Sequence, residues 1–534
     1  MKATSVLTGA LMLGQGIAHG PKHQTIEVSA PAKASSKASW IVSHDFASFS
    51  FPAHWFADFC GNATHPNLFS RDIFDLLHSK TGAHPFVRVG GTSTDRVWYN
   101  ASQSVGLINY YEQSDSDLQS WGIPDWVYIG PAFFDGFKNF PGSHWSWQIN
   151  MGKTFGKPGG LENALEVGQK VMDVVQDKLA TFEIGNEPDL MARIFSHRPA
   201  DYDMDDYVSE WLDYANATSE TVLKGNKYGL EETRFFQALT LAGGENPIWN
   251  IQEAWKSGVD EGGFVKTITY HQYAASNQGW VRLQNSYMNH TANAANVTQY
   301  NNASNFAHSQ QPPLPFILGE TNSNSWNLNM EHISAVFGSA LWLIDHLLLG
   351  MVANMKRYNL IQGTVFSYTG WVPVDHLGRP PHVRPPLYGQ IFAADVLGHH
   401  PKVKVYEVPK LPWNMAAYGI YESDQLERYV IINFDEYNTT ASYKRPVRGH
   451  ILMVPHEVKS VRIQRLTAAG ADALEGIKWS GQSWNYTAGR LEQHGKLKFE
   501  TAKAHKGEVK VKVPSSEAIL VHLERKRGYG LGSD

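Results

Sequence analysis

Two glutamates in this sequence occupy positions that suit acid–base chemistry. Glu187 closes the segment FEIGNE and Glu320 closes FILGE, so each follows an apolar run with a glycine one or two residues before it. A carboxyl group at the end of a buried strand is partly desolvated, which allows one member of a pair to stay protonated while the other ionises. Hydrolysis of a glycosidic bond requires such a pair. The alternative is that these glutamates cap helices or pair with arginines at the rim of a fold.

Further polar side chains are predicted to lie at the ends of the same set of strands. They are Asp95, Asn150, Asn186, His271, Tyr273 and Tyr368. The sequence holds no histidine–cysteine cluster with zinc spacing, no GxSxG nucleophile motif and no glycine-rich phosphate loop. The residues therefore predict a hydrolytic site that works without a metal or an organic cofactor.

Short β-rich segments alternate with helical patterns across residues 46–398. The strand segments are 46–51, 85–91, 144–152, 180–186, 235–243, 266–273, 315–321 and 363–368. Amphipathic stretches such as LENALEVGQKVMDVVQD lie between them. This alternation predicts a (β/α)8 TIM barrel, in which the active site lies at the carboxyl ends of the strands. A doubly wound sheet fits a segment of this length less well.

The rest of the chain predicts a second domain without long helices. Residues 399–534 hold segments such as RYVIINFD and EVKVKVP separated by turns, which predict an all-β sandwich. Residues 20–45 include TIEVSA, which we expect to add an edge strand to that sandwich. The predicted architecture is a TIM barrel followed by a C-terminal β-sandwich.

The amino terminus predicts export. Residues 1–19 place Lys2 before an apolar stretch that ends in small residues, the layout of a secretory signal peptide. Asn-X-Ser/Thr triplets agree with a secreted glycoprotein. They begin at Asn62, Asn100, Asn216, Asn289, Asn296, Asn302, Asn438 and Asn485. The single cysteine, Cys60, lies among apolar neighbours and is expected to be an inert buried thiol rather than a catalytic one.

Two unusual stretches of composition need an interpretation of their own. The polar stretch 289–305 carries three sequons and is predicted to be an exposed, glycosylated loop insertion. The apolar run 334–355 has the length of a membrane span, but Asp345 and His346 interrupt it, and an outer barrel helix buried on one face explains it better. The net charge of −5 disfavours nucleic acid and anionic membranes as partners.

Four motifs together resemble a known enzyme family. IGNEPDL around Glu187 and LGET around Glu320 resemble the clan A retaining glycosidases. RVGGTSTD (88–95), YHQY (270–273) and the order of barrel and sandwich extend the likeness to glycoside hydrolase family 79, the β-glucuronidases and heparanases. The resemblance covers nearly the whole mature chain.

The resemblance implies a role for each residue that matches a motif. Glu187 would be the acid/base, Glu320 the nucleophile, and Asn186 the neighbour that hydrogen-bonds the sugar 2-hydroxyl. Tyr273 would hydrogen-bond the nucleophile, with His271 beside it.

Asp95 falls where the family contacts the terminal sugar.

Recognition of the uronic acid carboxylate is expected to use neutral groups. The resemblance implies that backbone N–H groups near Ser325, Trp326 and Asn327, with the hydroxyl of Tyr368, bind the substrate carboxylate. Hydrogen bonds to a charged acceptor are strong, and they avoid a cation beside the acid/base pair.

The end of the first barrel strand departs from the family pattern. Family members often carry an acidic residue there, whereas this chain has Ser50, Phe51 and Pro52. None of these can replace a carboxylate, so we expect different contacts to the outer hydroxyls of the sugar.

The resemblance implies a secreted or wall-associated, exo-acting, retaining β-glucuronidase. Its partner would be an oligo- or polysaccharide that ends in glucuronic acid, with or without a 4-O-methyl group. Another clan A activity, a β-glucosidase or an endo-acting heparanase, is an alternative on the same scaffold. A non-catalytic carbohydrate-binding wall protein is a third, which the presence of Asn186, Glu187, Tyr273 and Glu320 disfavours.

Overall fold

The structure is a computed structural model. It describes residues 25–112, 122–195, 197–244, 246–276, 279–325, 330–376 and 378–525. The predicted signal peptide (residues 1–19) and two predicted substrate contacts, Trp326 and Asn327, lie outside the described residues.

The strands follow one another along the chain from the sandwich into the barrel and back to the sandwich. They are β1 (Ile26–Ser29), β2 (Ala47–Phe51), β3 (Val87–Val89), β4 (Val97–Tyr99), β5 (Leu107–Tyr110), β6 (Trp126–Ile129), β7 (Trp145–Ile149), β8 (Leu179–Ile184), β9 (Phe236–Leu241), β10 (Val265–Ser276), β11 (Phe316–Ser325), β12 (Arg357–Ile361), β13 (Trp371–Val372), β14 (His382–Val383), β15 (Val403–Glu407), β16 (Met415–Glu422), β17 (Gln425–Asn433), β18 (Val447–Met453), β19 (Val458–Thr467), β20 (Lys478–Trp479), β21 (Ser483–Thr487), β22 (Arg490–His494), β23 (Glu500–Lys503), β24 (Glu508–Pro514) and β25 (Glu517–Arg525).

The α-helices lie mainly between the barrel strands. They are α1 (Ala53–Cys60), α2 (Leu68–Thr81), α3 (Gly160–Val175), α4 (Pro188–Met191), α5 (Met204–Thr218), α6 (Ile251–Lys256), α7 (His290–Thr298), α8 (Asn301–Ser309), α9 (Glu331–Ser334), α10 (Phe337–Val352) and α11 (Pro386–Leu397).

Eight parallel strands close into a barrel in the order β2-β3-β7-β8-β9-β10-β11-β12, and β12 pairs with β2. Their side chains are almost all buried, as in β7 and β9, because barrel strands face the interior on one side and helices on the other. The predicted (β/α)8 fold is confirmed, and seven of the predicted strand segments overlap barrel strands.

The prediction for the eighth strand was wrong. The segment 363–368 forms turns, and the barrel is closed by β12, with the sequence RYNLI. Polar residues concealed this strand in the sequence. They are accommodated because the Arg357 guanidinium lies 3.5 Å from the Phe86 ring centroid and its Nε donates to Asn359 Oδ1 at 3.1 Å.

The apolar run 334–355 contains the buried helix α10. Every residue from Phe337 to Met351 is buried, so the helix is covered on all sides by the barrel and its neighbours. Within the described residues, no helix is long and apolar enough to cross a membrane. The prediction of a barrel helix is confirmed, but the helix is buried on all sides rather than on one face.

The polar stretch 289–305 is not an exposed loop, which corrects the prediction. It forms α7 and most of α8, and its buried side chains Val297, Tyr300 and Ala303 belong to the barrel core. The Asn289 side chain accepts a hydrogen bond from the N–H of Ala292 and so caps α7. The prediction missed the helical spacing of the apolar residues because asparagines lie between them. Deletion of this stretch would remove side chains of the barrel core and is expected to destabilise the fold.

The C-terminal strands form two facing sheets. A seven-stranded sheet has the order β15-β16-β17-β25-β19-β20, with β23 paired to β19, and a three-stranded sheet has the order β1-β18-β24. Strand β1 pairs in parallel with β18, so the early segment around Ile26 joins the sandwich. Along β17, Tyr429 and Ile431 face the sandwich core, whereas Val430 and Ile432 face the barrel.

A buried polar cluster joins the barrel to the sandwich. His290 Nδ1 lies 3.0 Å from Asp345 Oδ1, and His290 Nε2 lies 3.3 Å from Glu407 Oε1. The hydroxyl of Tyr418 also donates to Asp345 Oδ1 at 2.5 Å. Burial alone would lower the pKa of His290, but the two carboxylates raise that pKa to about 10. A charged imidazole therefore links the two parts of the chain.

The predicted glycosylation sites differ in exposure. Three of them, Asn289, Asn296 and Asn438, are half-buried, and the other five are exposed. An attached glycan requires an exposed asparagine, and these five asparagines meet that requirement. Glycosylation at them stays a prediction. Cys60 is 1% exposed, and burial raises the pKa of its thiol, as expected for an inert cysteine.

Candidate active site

Glu187 lies directly after β8 in an unusual backbone conformation. Its φ of 49° and that of Gly185, 68°, are in the left-handed region, which costs energy for a residue with a side chain. Pro188 starts α4 immediately afterwards, with Glu187 at its N-cap position. This sharp turn from strand to helix holds a largely buried carboxyl group at the mouth of the barrel, where Glu187 is 8% exposed.

Glu320 lies within β11 and is held by two donors. The Tyr273 hydroxyl donates to Oε1 at 2.5 Å, and Arg88 Nη1 donates to Oε2 at 2.8 Å. Tyr273 lies on the adjacent strand β10 and Arg88 on β3, so the two hydrogen bonds reach Glu320 from different sides of the barrel. Glu320 is 6% exposed. Its carboxylate is therefore fixed in position before any substrate arrives.

The two carboxyl groups face each other across one mouth. Single side-chain atoms of Glu187, His271 and Glu320 lie within 4.8 Å of one another. Retaining glycosidases hold their carboxyl groups about 5–5.5 Å apart, whereas inverting enzymes need roughly 6.5–9.5 Å to admit a water molecule. The geometry therefore suits a double displacement through a covalent intermediate.

The surroundings give the two carboxyl groups opposite protonation states. Burial, reinforced by the negative charge of Glu320, raises the pKa of Glu187 to about 8. Burial alone would also raise the pKa of Glu320, but the neighbouring His271, Arg88 and Tyr273 hold it below its ordinary value. At neutral pH one group is thus an acid and the other an anion, as a general acid and a nucleophile must be.

Arg88 is a functional residue that sequence reasoning missed. It is fully buried and donates to Glu183 from both Nε and Nη2, at 2.9 and 2.5 Å to Oε1. Its Nη2 also donates to Asn186 Oδ1 at 2.9 Å, and its Nη1 to Ser50 Oγ at 3.1 Å. A single guanidinium thus positions both Glu320 and Asn186, the neighbour of Glu187. The sequence did carry a signal for this ion pair: Arg88 lies inside the apolar segment VRV and Glu183 inside FEI. Buried charges are ordinarily paired, so two opposite charges inside apolar strands indicate an ion pair.

The glycines of the RVGG motif make room for this arrangement. A Cβ atom at Gly90 would lie 2.6 Å from Arg88 Cζ. A Cβ at Gly91 would lie 3.3 Å from Glu320 Oε2, and the φ of Gly91 is 97°. Both positions therefore need glycine, because any larger residue would displace the groups that hold the nucleophile.

Asp95 lies just past β3, as predicted, but its carboxylate binds backbone groups. Its Oδ1 accepts from the N–H of Met151 at 3.1 Å, and its Oδ2 accepts from the N–H of Asn186 at 2.9 Å. The residue is 2% exposed. Both oxygens are thus bound to backbone, so Asp95 supports the turn before Glu187 rather than presenting a carboxylate to a sugar.

His271 lies beside the predicted acid. Its Nδ1 is 3.0 Å from Glu187 Oε1, and its carbonyl oxygen accepts from the Tyr300 hydroxyl at 2.8 Å. Burial lowers the pKa of His271 to about 4, so the imidazole is neutral at neutral pH. A neutral imidazole can hold the Glu187 carboxyl in place without lowering its pKa as a cation would.

The structure also brings Tyr368 to the site, but not at the end of a strand. It lies in the turns after β12, 3% exposed, with its ring centroid 6.3 Å from that of Tyr273. Burial and the charge of Glu320 raise the pKa of Tyr368, so its hydroxyl stays a donor. Ser325 is the last residue of β11, and its Oγ donates to the carbonyl of Ala275 at 3.4 Å.

Glu187, His271 and Glu320 could each offer one ligand atom to a cation. However, the Arg88 guanidinium already neutralises Glu320 and uses one of its oxygens, and Tyr273 uses the other. The donor set therefore fits an acid–nucleophile pair better than a metal site.

A closed (β/α)8 barrel with two buried carboxyl groups of opposite protonation at one mouth defines a retaining glycoside hydrolase. The model of the glycosyl hydrolase family 79 C-terminal beta domain matches residues 417–520. A β-glucuronidase of Aspergillus niger is 31% identical over 542 residues, which cover 97% of this chain and 98% of that protein. The chain belongs to glycoside hydrolase family 79.

A second relative agrees with this placement, and two solved structures share the fold. A β-glucuronidase of Neurospora crassa is 30% identical over 484 residues, or 83% of this chain and 84% of that protein. The crystal structure of a 4-O-α-L-rhamnosyl-β-D-glucuronidase from Fusarium oxysporum has a TM-score of 0.77 at 21% identity, covering 94% of this chain and 100% of that one. A family 51 arabinofuranosidase from Xanthomonas axonopodis pv. citri shares the fold at a TM-score of 0.60 and 10% identity, with 93% and 99% covered.

Proposed function

We propose that this protein is an exo-acting retaining β-glucuronidase. It removes terminal β-glucuronic acid, with or without a 4-O-methyl group, from oligo- or polysaccharides outside the cell. The observation that carries the proposal is the pair Glu187 and Glu320, one protonated and one ionised, within 4.8 Å of each other. The β-glucuronidases to which the chain is similar over most of its length support the choice of glucuronic acid.

In this proposal the two glutamates act in turn. Glu320 attacks the anomeric carbon while Glu187 transfers its proton to the leaving oxygen, and a glycosyl ester forms on Glu320. Glu187, now ionised, takes a proton from a water molecule, which attacks the anomeric carbon and frees the sugar with retained configuration. Asn186 donates to the sugar 2-hydroxyl, and Arg88 and Tyr273 keep Glu320 ionised and aimed.

A panel of substrates tests the proposal directly. We expect hydrolysis of aryl β-glucuronides and release of free glucuronic acid from glucuronidated polysaccharides, with little action on aryl β-glucosides. Preferential cleavage of aryl glucosides would assign the protein to a β-glucosidase. Release of internal fragments without free glucuronic acid would assign it to an endo-acting enzyme.

The uronate contact is expected to depend on Tyr368. A Tyr368→Phe variant removes one donor from a buried carboxylate, which should weaken binding of an aryl glucuronide by about 1–3 kcal/mol. Residual activity on the matching aryl glucoside should hardly change, because that substrate has no carboxylate. The measurement is KM and kcat for the two substrates. Equal losses on both would mean that Tyr368 does not bind the carboxylate.

The pH dependence of kcat/KM should report the two carboxyl groups. The raised pKa of Glu187, about 8, means that the acid keeps its proton below that pH, so kcat/KM should fall as the pH rises through about 8. The lowered pKa of Glu320 places the acidic limb below 4.5. Measured with an alkyl glucuronide, whose leaving group needs the proton, the wild-type chain should show this alkaline limb and Glu187→Gln should lose it. An unchanged alkaline limb in that variant would contradict the assignment of Glu187.

Secretion and glycosylation belong to the same proposal. The predicted signal peptide and the exposed sequons at Asn62, Asn100, Asn216, Asn302 and Asn485 support it. Expression in a eukaryotic host should yield protein in the medium whose mass falls on treatment with an endoglycosidase.

A further inference from the structure

A small sheet on the catalytic side of the barrel has an aromatic outer face. It has the order β4-β6-β5, with β4 parallel and β5 antiparallel to β6. Its inner side chains include Val127 and Ile129, which are fully buried. The alternate positions form the outer face, which we call the aromatic sheet face: Trp98, Ile108, Tyr110, Trp126 and Tyr128.

The members of the aromatic sheet face form one continuous surface. The rings of Trp126 and Tyr128 stack with centroids 6.2 Å apart, and Trp98 lies 6.3 Å from Trp126. Tyr110 lies 6.4 Å from Tyr128 and is 46% exposed, and the neighbouring Ile108 is 44% exposed. The solvent side of a sheet is ordinarily polar, so a contiguous apolar face of this kind marks a binding surface.

This sheet is fixed to the same strand ends as the catalytic residues. Asn150 Nδ2 donates to the carbonyl of Val97 on β4 at 2.8 Å, and the N–H of Lys153 donates to the carbonyl of Asp95 at 2.8 Å. Asp95 in turn accepts from the N–H of Asn186, the neighbour of Glu187. The sheet that carries the aromatic face therefore lies beside the strand ends that carry the catalytic residues.

Two lysines accompany the aromatic rings. Lys157 Nζ lies 4.0 Å from the Trp126 ring centroid, and Lys153 Nζ lies 5.4 Å from it. Lys153 is also 3.6 Å from Asp125 Oδ1, whereas Lys157 is exposed and pairs with no carboxylate among the described residues. The face thus joins flat apolar rings to a cation, Lys157, that no carboxylate of the described residues neutralises. Sugar rings stack on the former, and a uronate carboxylate is attracted by the latter.

We propose that the aromatic sheet face binds an acidic polysaccharide chain. Sugar rings stack on Tyr110 and Trp126, and a uronic acid carboxylate pairs with Lys157. The view that this polymer is also the substrate rests on the proposed function; the binding itself requires no turnover. The surface would hold the polymer while its terminal residue enters the active site, which raises the local concentration of chain ends.

Affinity electrophoresis tests this proposal separately from catalysis. The full chain is run through gels with arabinogalactan that carries uronic acid, and through gels with the same polysaccharide after carboxyl reduction. The variants are Tyr110→Ser, which alters an exposed ring, and Lys157→Gln. The matched controls are Tyr443→Ser, a 58% exposed tyrosine on the sandwich, and Lys227→Gln, an exposed lysine 5.1 Å from the Tyr228 ring. Thermal unfolding and kcat/KM on an aryl glucuronide are measured for each.

The expected result is retardation of the wild-type chain by the acidic polysaccharide. Tyr110→Ser and Lys157→Gln should each weaken that binding about 5-fold. The two controls should bind as the wild type does, and all four variants should keep its unfolding temperature and its aryl glucuronide activity. The carboxyl-reduced polymer should bind more weakly, without dependence on Lys157.

Other outcomes would overturn the proposal. Wild-type retardation of Tyr110→Ser would show that the face does not bind the polymer. Equal binding of the carboxyl-reduced polymer would show that no uronate carboxylate pairs with Lys157. A change in the solution mass of Tyr110→Ser, with polysaccharide binding intact, would assign the face to a second copy of the chain. Absence of aryl glucuronide hydrolysis would count against the proposed function and leave the binding result standing.

Discussion

Glu320→Gln is expected to abolish turnover, with a loss in kcat of at least about 10⁴-fold on every substrate. The amide keeps the shape of the carboxylate but is a poor nucleophile, so no glycosyl ester forms. Because hydrolysis passes through that ester, the reaction stops at the first step. Because the change also removes the negative charge that pairs with the buried Arg88, thermal unfolding should be measured alongside kcat.

The control for Glu320→Gln is Glu331→Gln. Glu331 is an exposed carboxylate on α9, shortly after β11, and its Oε1 lies 3.4 Å from Arg379 Nη1 at the surface. This control should retain wild-type kinetics. If Glu320→Gln kept more than about a hundredth of the wild-type kcat while folded, Glu320 would not be the nucleophile.

Glu187→Gln is expected to act selectively on substrates with poor leaving groups. General acid catalysis contributes typically 10²–10⁴-fold, so alkyl or oligosaccharide glucuronides should lose about that much in kcat/KM. Dinitrophenolate leaves without protonation, so formation of the glycosyl ester from a dinitrophenyl glucuronide should be nearly unaffected. Hydrolysis of the intermediate should then be slow, and a pre-steady-state burst of dinitrophenol should appear.

An added anion distinguishes this role from a structural one. Azide needs no general base, so it should accelerate the second step of Glu187→Ala and yield a β-glucuronosyl azide of retained configuration. Loss of activity to the same extent on every leaving group, without rescue by azide, would show that Glu187 is not the acid/base.

The sequence alone was sufficient to predict most of the barrel and the two glutamates that face each other at its mouth. Barrel strands are buried on both faces, so they appear as short apolar runs, and glycine followed by glutamate marked the ends that carry Glu187 and Glu320. The eighth strand was missed because RYNLI includes an arginine and an asparagine that pair only in three dimensions.

The remaining errors have a common physical cause, which is contact between distant parts of the chain. The ion pair of Arg88 with Glu183 is set by the closure of the barrel and cannot be predicted from either strand alone. Asp95 was expected to face the sugar, but the backbone N–H groups of Met151 and Asn186 take both of its oxygens. The helices in 289–305 depend on apolar residues spaced among asparagines, and the core selects them.

Trapping of the covalent intermediate tests the central claim most directly. Glu187→Gln is mixed with a dinitrophenyl β-glucuronide, quenched in acid and digested, and the peptides are mapped by mass spectrometry. We predict that the peptide containing Glu320 gains the mass of one anhydroglucuronic acid residue, because formation of the ester is fast and its hydrolysis is slow. A burst of dinitrophenol with the sugar on another residue, or turnover with no adduct at all, would contradict the assignment of Glu320 as the nucleophile of a retaining β-glucuronidase.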